Sequence, residues 1–249
     1  MRNTLLALTI GLPLAAFAAP TLVDVRVSPP DINLSSKLDF QTVVVQAGYS
    51  DSTTRDVTGQ AQFSVADKSL ARLDKAAVYP VADGKTELTV KFDTKTITLP
   101  VKVEKSAFTP AISFNLDVMP VFSKAGCNVG SCHGSARGKD GFHLSLFGYD
   151  PEGDYGKITR QMLGRRVNLA LPEESLLLTK AIGAVQHTGG KSFEATDPLY
   201  KTVLQWIEAG APQDPKDIAQ VIGVEIFPVQ GVLEGSGASQ QFTVRAKYS

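Results

Sequence analysis

Between residues 22 and 104 apolar and polar positions alternate in short runs. LVDVRV (22–27), FQTVVVQAGY (40–49), AQFSVA (61–66), ARLDKAAVYPV (71–81), TELTVKF (86–92) and TITLPVKVE (96–104) are rich in Val, Thr and Ile. Ser28-Pro29-Pro30, Asp51-Ser52, Asp83-Gly84 and Asp93-Thr94 separate them as turns. Short period-two runs divided by turn residues predict a β-sandwich.

The pattern changes near residue 108. In NLDVMPVFSKAG (115–126), Val118, Val121, Phe122 and Ala125 fall on one helical face, with Pro120 in the first turn where its missing N–H costs little. GKITRQMLGRR belongs to a helix predicted over about 154–166. DPLYKTVLQWIEAGAP opens with Asp197 as N-cap and Pro198 at the first helical position. Its stripe of Leu199, Val203 and Trp206 or Ile207 ends at Gly210 and Pro212.

Near residue 221 the strand pattern returns as a repeat. The 28 residues from Val23 align without gaps to those from Ile222, an offset of 199 positions. Val25, Pro29, Leu34, Gln41, Val45, Ala47, Tyr49 and Ser50 meet Val224, Pro228, Leu233, Gln240, Val244, Ala246, Tyr248 and Ser249. Residues 221–249 are therefore expected to be the truncated start of a second domain like the first. Half a sandwich would expose an apolar face, so the chain reads as a fragment of a longer protein or a truncated product.

Composition adds limits. A chain of 249 residues suggests more than one domain, since domains run to roughly 100–150 residues. With 43% hydrophobic and 20% charged residues a packed core is expected rather than disorder. The net charge is zero and no basic stripe is visible, so nucleic acid is not an expected partner.

MRNTLLALTIGLPLAAFAAP has an early Arg2, an apolar run and a small-x-small Ala16-Phe17-Ala18, which predicts a signal peptide over 1–18. The run contains Pro13 and is shorter than the roughly 20 residues a membrane span needs. The mature chain is expected in the periplasm or at the cell surface, with no membrane span and as a monomer.

All three histidines, both cysteines and the single tryptophan lie between residues 108 and 216. The cysteines sit in CNVGSCHG (127–134), with His133 directly after Cys132. Three chemistries compete. A Cys127–Cys132 disulfide would contribute roughly 2 kcal/mol but leaves His133 unexplained. A zinc site needs a fourth ligand and the usual close cysteine pair. A covalently attached haem uses two cysteine sulfurs and an adjacent histidine. The usual haem spacing is two residues between the cysteines, and here it is four. On a helix five steps rise about 7.5 Å against roughly 4.5 Å for three, so the extra residues must loop out, which suits Asn128, Gly130 and Ser131.

The segment VSPP…YSDSTTRDVT…TELTVKF resembles a group 2 bacterial Ig-like domain over residues 22–105. FNLDVMPVFSKAGCNVGSCHG, LPEESLLLTKAIGAVQHTGGK and LQWIEAGAP resemble the cytochrome c-like domain that accompanies Ig-like domains in planctomycete-type surface proteins. The resemblance implies an all-β Ig-like sandwich, then a small all-α cytochrome c-like domain over 108–216, then the start of a second Ig-like domain. It implies haem c held by Cys127 and Cys132, with His133 as proximal ligand.

The resemblance further implies that His187 takes the place of the usual distal methionine, giving bis-histidine ligation and a lower potential than methionine ligation would. Met119, Met162 and His143 are the alternatives. Arg165 and Arg166 are candidate partners for haem propionates. With both axial positions filled, electron transfer to a redox partner protein is expected rather than catalysis, and no nucleophile–base set is evident. The alternative is a haem-free adhesion or scaffold protein pinned by the disulfide.

Overall fold

A computed structural model describes residues 19–162 and 164–249; the expected signal peptide lies outside them. The chain divides into two compact units, residues 110–220 forming one and the segments on either side of them the other.

The first unit contains the strands β1 (Leu22–Ser28), β2 (Ile32–Leu34), β3 (Gln41–Thr42), β4 (Val44–Tyr49), β5 (Thr54–Asp56), β6 (Gln62–Val65), β7 (Ala71–Asp74), β8 (Ala77–Pro80), β9 (Gly84–Phe92) and β10 (Lys95–Val103). They form sheets ordered β1-β4-β5, β2-β10-β9-β6 and β3-β8-β7. Every pairing is antiparallel except β2 with β10. Inward positions of these strands supply the core, including Ile32, Val45, Ala47, Val78, Leu88, Val90 and Val101. Asp93 turns β9 into β10 with a left-handed φ of 51°, a conformation Asp tolerates better than most residues.

The repeat is visible in the pairing. β11 (Val221–Phe227) and β12 (Thr243–Tyr248) are antiparallel, in the same register as β1 and β4 and with the irregularity at the same step. This ribbon groups with strands β1–β10 in one compact unit rather than standing apart. Thr54 N donates to Val232 O at 2.8 Å, Gln46 Nε2 to Gln230 O at 2.9 Å, and Arg245 pairs with Asp31 at 2.8 Å. Val43 and Val45 are fully buried, whereas their counterparts Phe242 and Val244 are 60% and 61% exposed.

The expected small all-α cytochrome c-like domain is not what residues 110–220 form. Taken whole, the described chain is mainly β-sheet with short helices. In this unit they are α1 (Met119–Lys124), α2 (Pro151–Thr159), α3 (Leu176–Ala181) and α4 (Pro198–Glu208), with a wide π-type turn at Phe114–Val118 before α1. Turns and loops join them. The cause is local: Gly126, Gly138, Asp140, Gly141, Phe147 and Gly148 all have positive φ, which no right-handed helix admits. The helix expected over about 154–166 likewise ends at Thr159, before the left-handed Met162 and Gly164.

The two helices with clear signals form as expected. Asp197 Oδ1 accepts from Leu199 N at 2.8 Å and Pro198 opens α4, while Val118, Val121 and Phe122 are buried. Trp206 is fully buried against Phe114, with ring centroids 5.2 Å apart, and donates Nε1–H to Pro212 O. The two ends of the unit meet at one carboxylate: Asp214 accepts from Phe114 N and Asn115 N at 3.1 and 2.7 Å.

In the first unit the Arg245 hydrogen bond holds the Asp31 carboxyl below its ordinary value of 3.8. A depressed folded-state pKa contributes stability above the unfolded value, and that contribution is lost as pH falls through the folded one. The pair is partly exposed, so Arg245→Gln is expected to cost at most about 1 kcal/mol in urea unfolding near neutral pH. The difference from wild type should shrink below pH 4 or so.

Candidate functional site

The second unit carries a cleft beside α1, α3 and α4, and Cys127, Cys132, His133, His187, Arg165 and Arg166 all line it. Each arrives there for a local reason. Cys127 N donates to Phe122 O at 2.8 Å, which hangs the first cysteine on the end of α1. The chain then leaves and returns, and His133 N donates to Cys127 O at 3.0 Å. The intervening residues do loop out, but not all as expected. Gly130 and Ser131 are exposed, whereas Asn128 is fully buried, donating Nδ2–H to Ser123 Oγ and accepting at its backbone oxygen from Phe147 N.

Gly134 closes the motif. A Cβ at this position would lie 2.0 Å from the Asn128 carbonyl oxygen, so no other residue fits without moving the backbone. Leu144 N donates to His133 O at 2.8 Å, binding the 142–144 segment to the motif.

The two histidines are held alike. His133 Nδ1 lies 3.0 Å from Phe142 O, and His187 Nδ1 lies 2.8 Å from Gly190 O. A carbonyl only accepts, so Nδ1 is the protonated nitrogen in each neutral ring. Nε2 then carries the free lone pair in both, and neither Nε2 has a hydrogen-bond partner among the described residues. Burial holds the His133 pKa below its usual value, with His187 adding to the effect and the Phe142 carbonyl opposing it. The neutral, ligating form is therefore favoured near pH 7.

The two rings are nearly parallel, 9° apart, with centroids separated by 6.1 Å. Two metal–imidazole bonds of roughly 2.0–2.1 Å each, plus about an ångström from each nitrogen to its ring centre, amount to about 6 Å. The 6.1 Å separation thus equals the span of two imidazoles bound through nitrogen to one metal ion. Among the described residues no three His, Cys, Asp or Glu side chains cluster as ligands, so such an ion would need its other donors from a bound group.

Both cysteines are free thiols. Burial, with Cys132 close by, pushes the Cys127 thiol up to about 11, so it is protonated at neutral pH. The cleft wall is apolar where it is deep, with Phe122, Leu144, Ala181, Phe193 and Val203 all buried.

The arginines differ from expectation. Arg166 is buried, donates to the carbonyls of Lys157, Gln161 and Gly141, and stacks on Phe142 at 4.4 Å. Its role is to clasp the end of α2 to the 141–142 turn, which leaves few donors for a ligand. Arg165 is exposed, with no side-chain hydrogen bond or ion pair among the described residues. Met119 lies in the core, Met162 is exposed, and neither these nor His143 lines the cleft.

Sequence reasoning did not find the orienting carbonyls of Phe142 and Gly190, nor the part played by Gly189. A Cβ on Gly189 would lie 3.0 Å from His187 Cε1 and 3.3 Å from Nε2, so glycine keeps that ring edge clear. The only signal was the Gly-Gly pair two residues after the histidine.

No protein-family model matches the chain. No curated protein matches it either. Among solved structures it is similar to the crystal structure of the S-layer protein rSbsC(31-844), with a TM-score of 0.32 and 22% identity over 41% of this chain and 15% of that one. It is also similar to domains 5-6 of the S-layer protein SbsC, with a TM-score of 0.30 and 22% identity over 38% of this chain and 49% of that one. The chain thus spans less than half the length of either.

Gly134→Ala is expected to destabilise the second unit by about 1–3 kcal/mol through overpacking against the Asn128 carbonyl. Thermal unfolding followed by Trp206 fluorescence reads it, because that tryptophan is the only one and lies in this unit's core.

Proposed function

We propose that this chain is an exported electron-transfer protein that carries one c-type haem in the cleft of residues 110–220. The observation that carries the reading is the pair of near-parallel imidazoles 6.1 Å apart, each with Nδ1 bonded to a backbone carbonyl and Nε2 free. Cys127 and Cys132, which both line the cleft, would provide the two thioether sulfurs, and His133 and His187 would hold the iron. When bound, the group supplies reversible one-electron transfer.

The protein's own residues do the remaining work. The Phe142 and Gly190 carbonyls fix both tautomers, and second-shell partners of this kind orient a ligand and raise its basicity. Phe122, Leu144, Phe193 and Val203 keep water from the deep face. With His133 and His187 both holding the metal, a substrate would have to displace one of them, which favours a carrier over a catalyst. The periplasm or the cell surface is the proposed location, in keeping with the leader-like residues 1–18. Among the described residues no helix is long and apolar enough to cross a membrane.

Expression of the full chain in cells equipped for c-type haem attachment tests the reading by intact mass and a pyridine haemochrome spectrum. The expected product is one haem-sized mass increment, with an α-band typical of two saturated linkages. Cys127→Ala and Cys132→Ala should each shift that band toward the single-linkage position. A colourless product two hydrogens lighter than the dithiol would instead mean a Cys127–Cys132 disulfide and a haem-free scaffold.

A further inference from the structure

We propose that Lys139, Arg165 and Lys180, at the mouth of the cleft, bind the two carboxylates of the haem, and that Arg166 does not. The inference rests on the haem reading above and specifies the orientation in which the cleft takes the group.

The cleft has two ends of opposite character. The deep end is buried and apolar, formed by Phe122, Leu144, Ala181, Phe193 and Val203. A carboxylate placed there would lose its hydration without compensation, so the acidic edge must face the mouth. Lys139 and Arg165 are exposed at that mouth, and neither side chain has a hydrogen bond or ion pair among the described residues. Lys180 of α3 also lines the cleft, its Nζ donating to the carbonyl of Gln186, the residue before His187.

Among the described residues, Asp140 is the only acidic one that lines the cleft. Cations therefore outnumber carboxylates in the lining, which favours an anionic group at the mouth. Arg166 is set aside because its guanidinium already serves three backbone carbonyls.

The test uses the full chain carrying Cys127→Ala and Cys132→Ala, so that porphyrin binds without covalent attachment. Iron protoporphyrin IX and its dimethyl ester are titrated optically at neutral pH and low salt. The parent is expected to bind the free diacid about five- to thirtyfold more tightly than the diester, as one or two partly exposed ion pairs would give. Adding Lys139→Gln, Arg165→Gln and Lys180→Gln should bring the two affinities within about twofold by lowering the diacid's alone, while Lys139→Arg, Arg165→Lys and Lys180→Arg should restore the preference. Equal affinities in the parent, or a preference that survives the glutamine substitutions, would overturn the assignment. Failure of both porphyrins to bind would overturn this inference, whereas the haem reading itself is overturned by the colourless, unmodified product of the covalent-attachment experiment above.

Discussion

Two backbone carbonyls, those of Phe142 and Gly190, decide what the cleft can do. Each accepts from the Nδ1–H of one histidine and leaves that ring's Nε2 unprotonated, with no hydrogen-bond partner among the described residues. Without these bonds either ring could rotate or present an N–H to the cleft, and the two Nε2 lone pairs would no longer be fixed. Burial of His133 acts in the same direction by disfavouring the imidazolium. The surrounding structure largely serves to hold these two carbonyls in place.

For Phe142 the support is layered. Its carbonyl lies in a tight turn whose ends, Lys139 and Phe142, are bonded to each other. Its ring lies between the His133 imidazole at 4.7 Å and the Arg166 guanidinium at 4.4 Å. Arg166 is in turn anchored on the end of α2, and the buried Asp154 in α2 accepts from Ser145 N and Oγ. Losing the Arg166 clasp would release the carbonyls of Lys157, Gln161 and Gly141 and untie the 141–142 turn from the end of α2. Beneath this, Phe114, Val203 and Trp206 fill the core that fixes α1 against α4.

The sequence made some of this legible and hid the rest for identifiable reasons. The longer strands of the first sandwich were readable because their alternation is regular. β2 and β5 have three residues each, too few to show a period, and the run from 40 to 49 breaks at Val43 into two strands in different sheets. α4 was readable from Asp197, Pro198 and Gly210. The middle helix was drawn too long because Met162 gives no warning that it will adopt a left-handed φ. The all-α expectation failed for the same reason on a larger scale, since the glycines and turns of 126–148 outweigh the helical stretches around them. The thiols and His133 drew attention by adjacency. His187 lies 54 positions beyond His133, and no periodicity links them, so only family resemblance suggested it. Arg166 was taken for a ligand-binding charge because the carbonyls it satisfies exist only once the turns have formed.

The central claim is that His133 and His187 grip one haem iron together. Electron paramagnetic resonance of the oxidised, haem-loaded full chain tests it most directly, comparing wild type with His187→Ala. The account predicts a low-spin rhombic spectrum, as near-parallel imidazole planes give, that turns high-spin when His187 is removed. A high-spin wild-type signal, or one unchanged by His187→Ala, would contradict it.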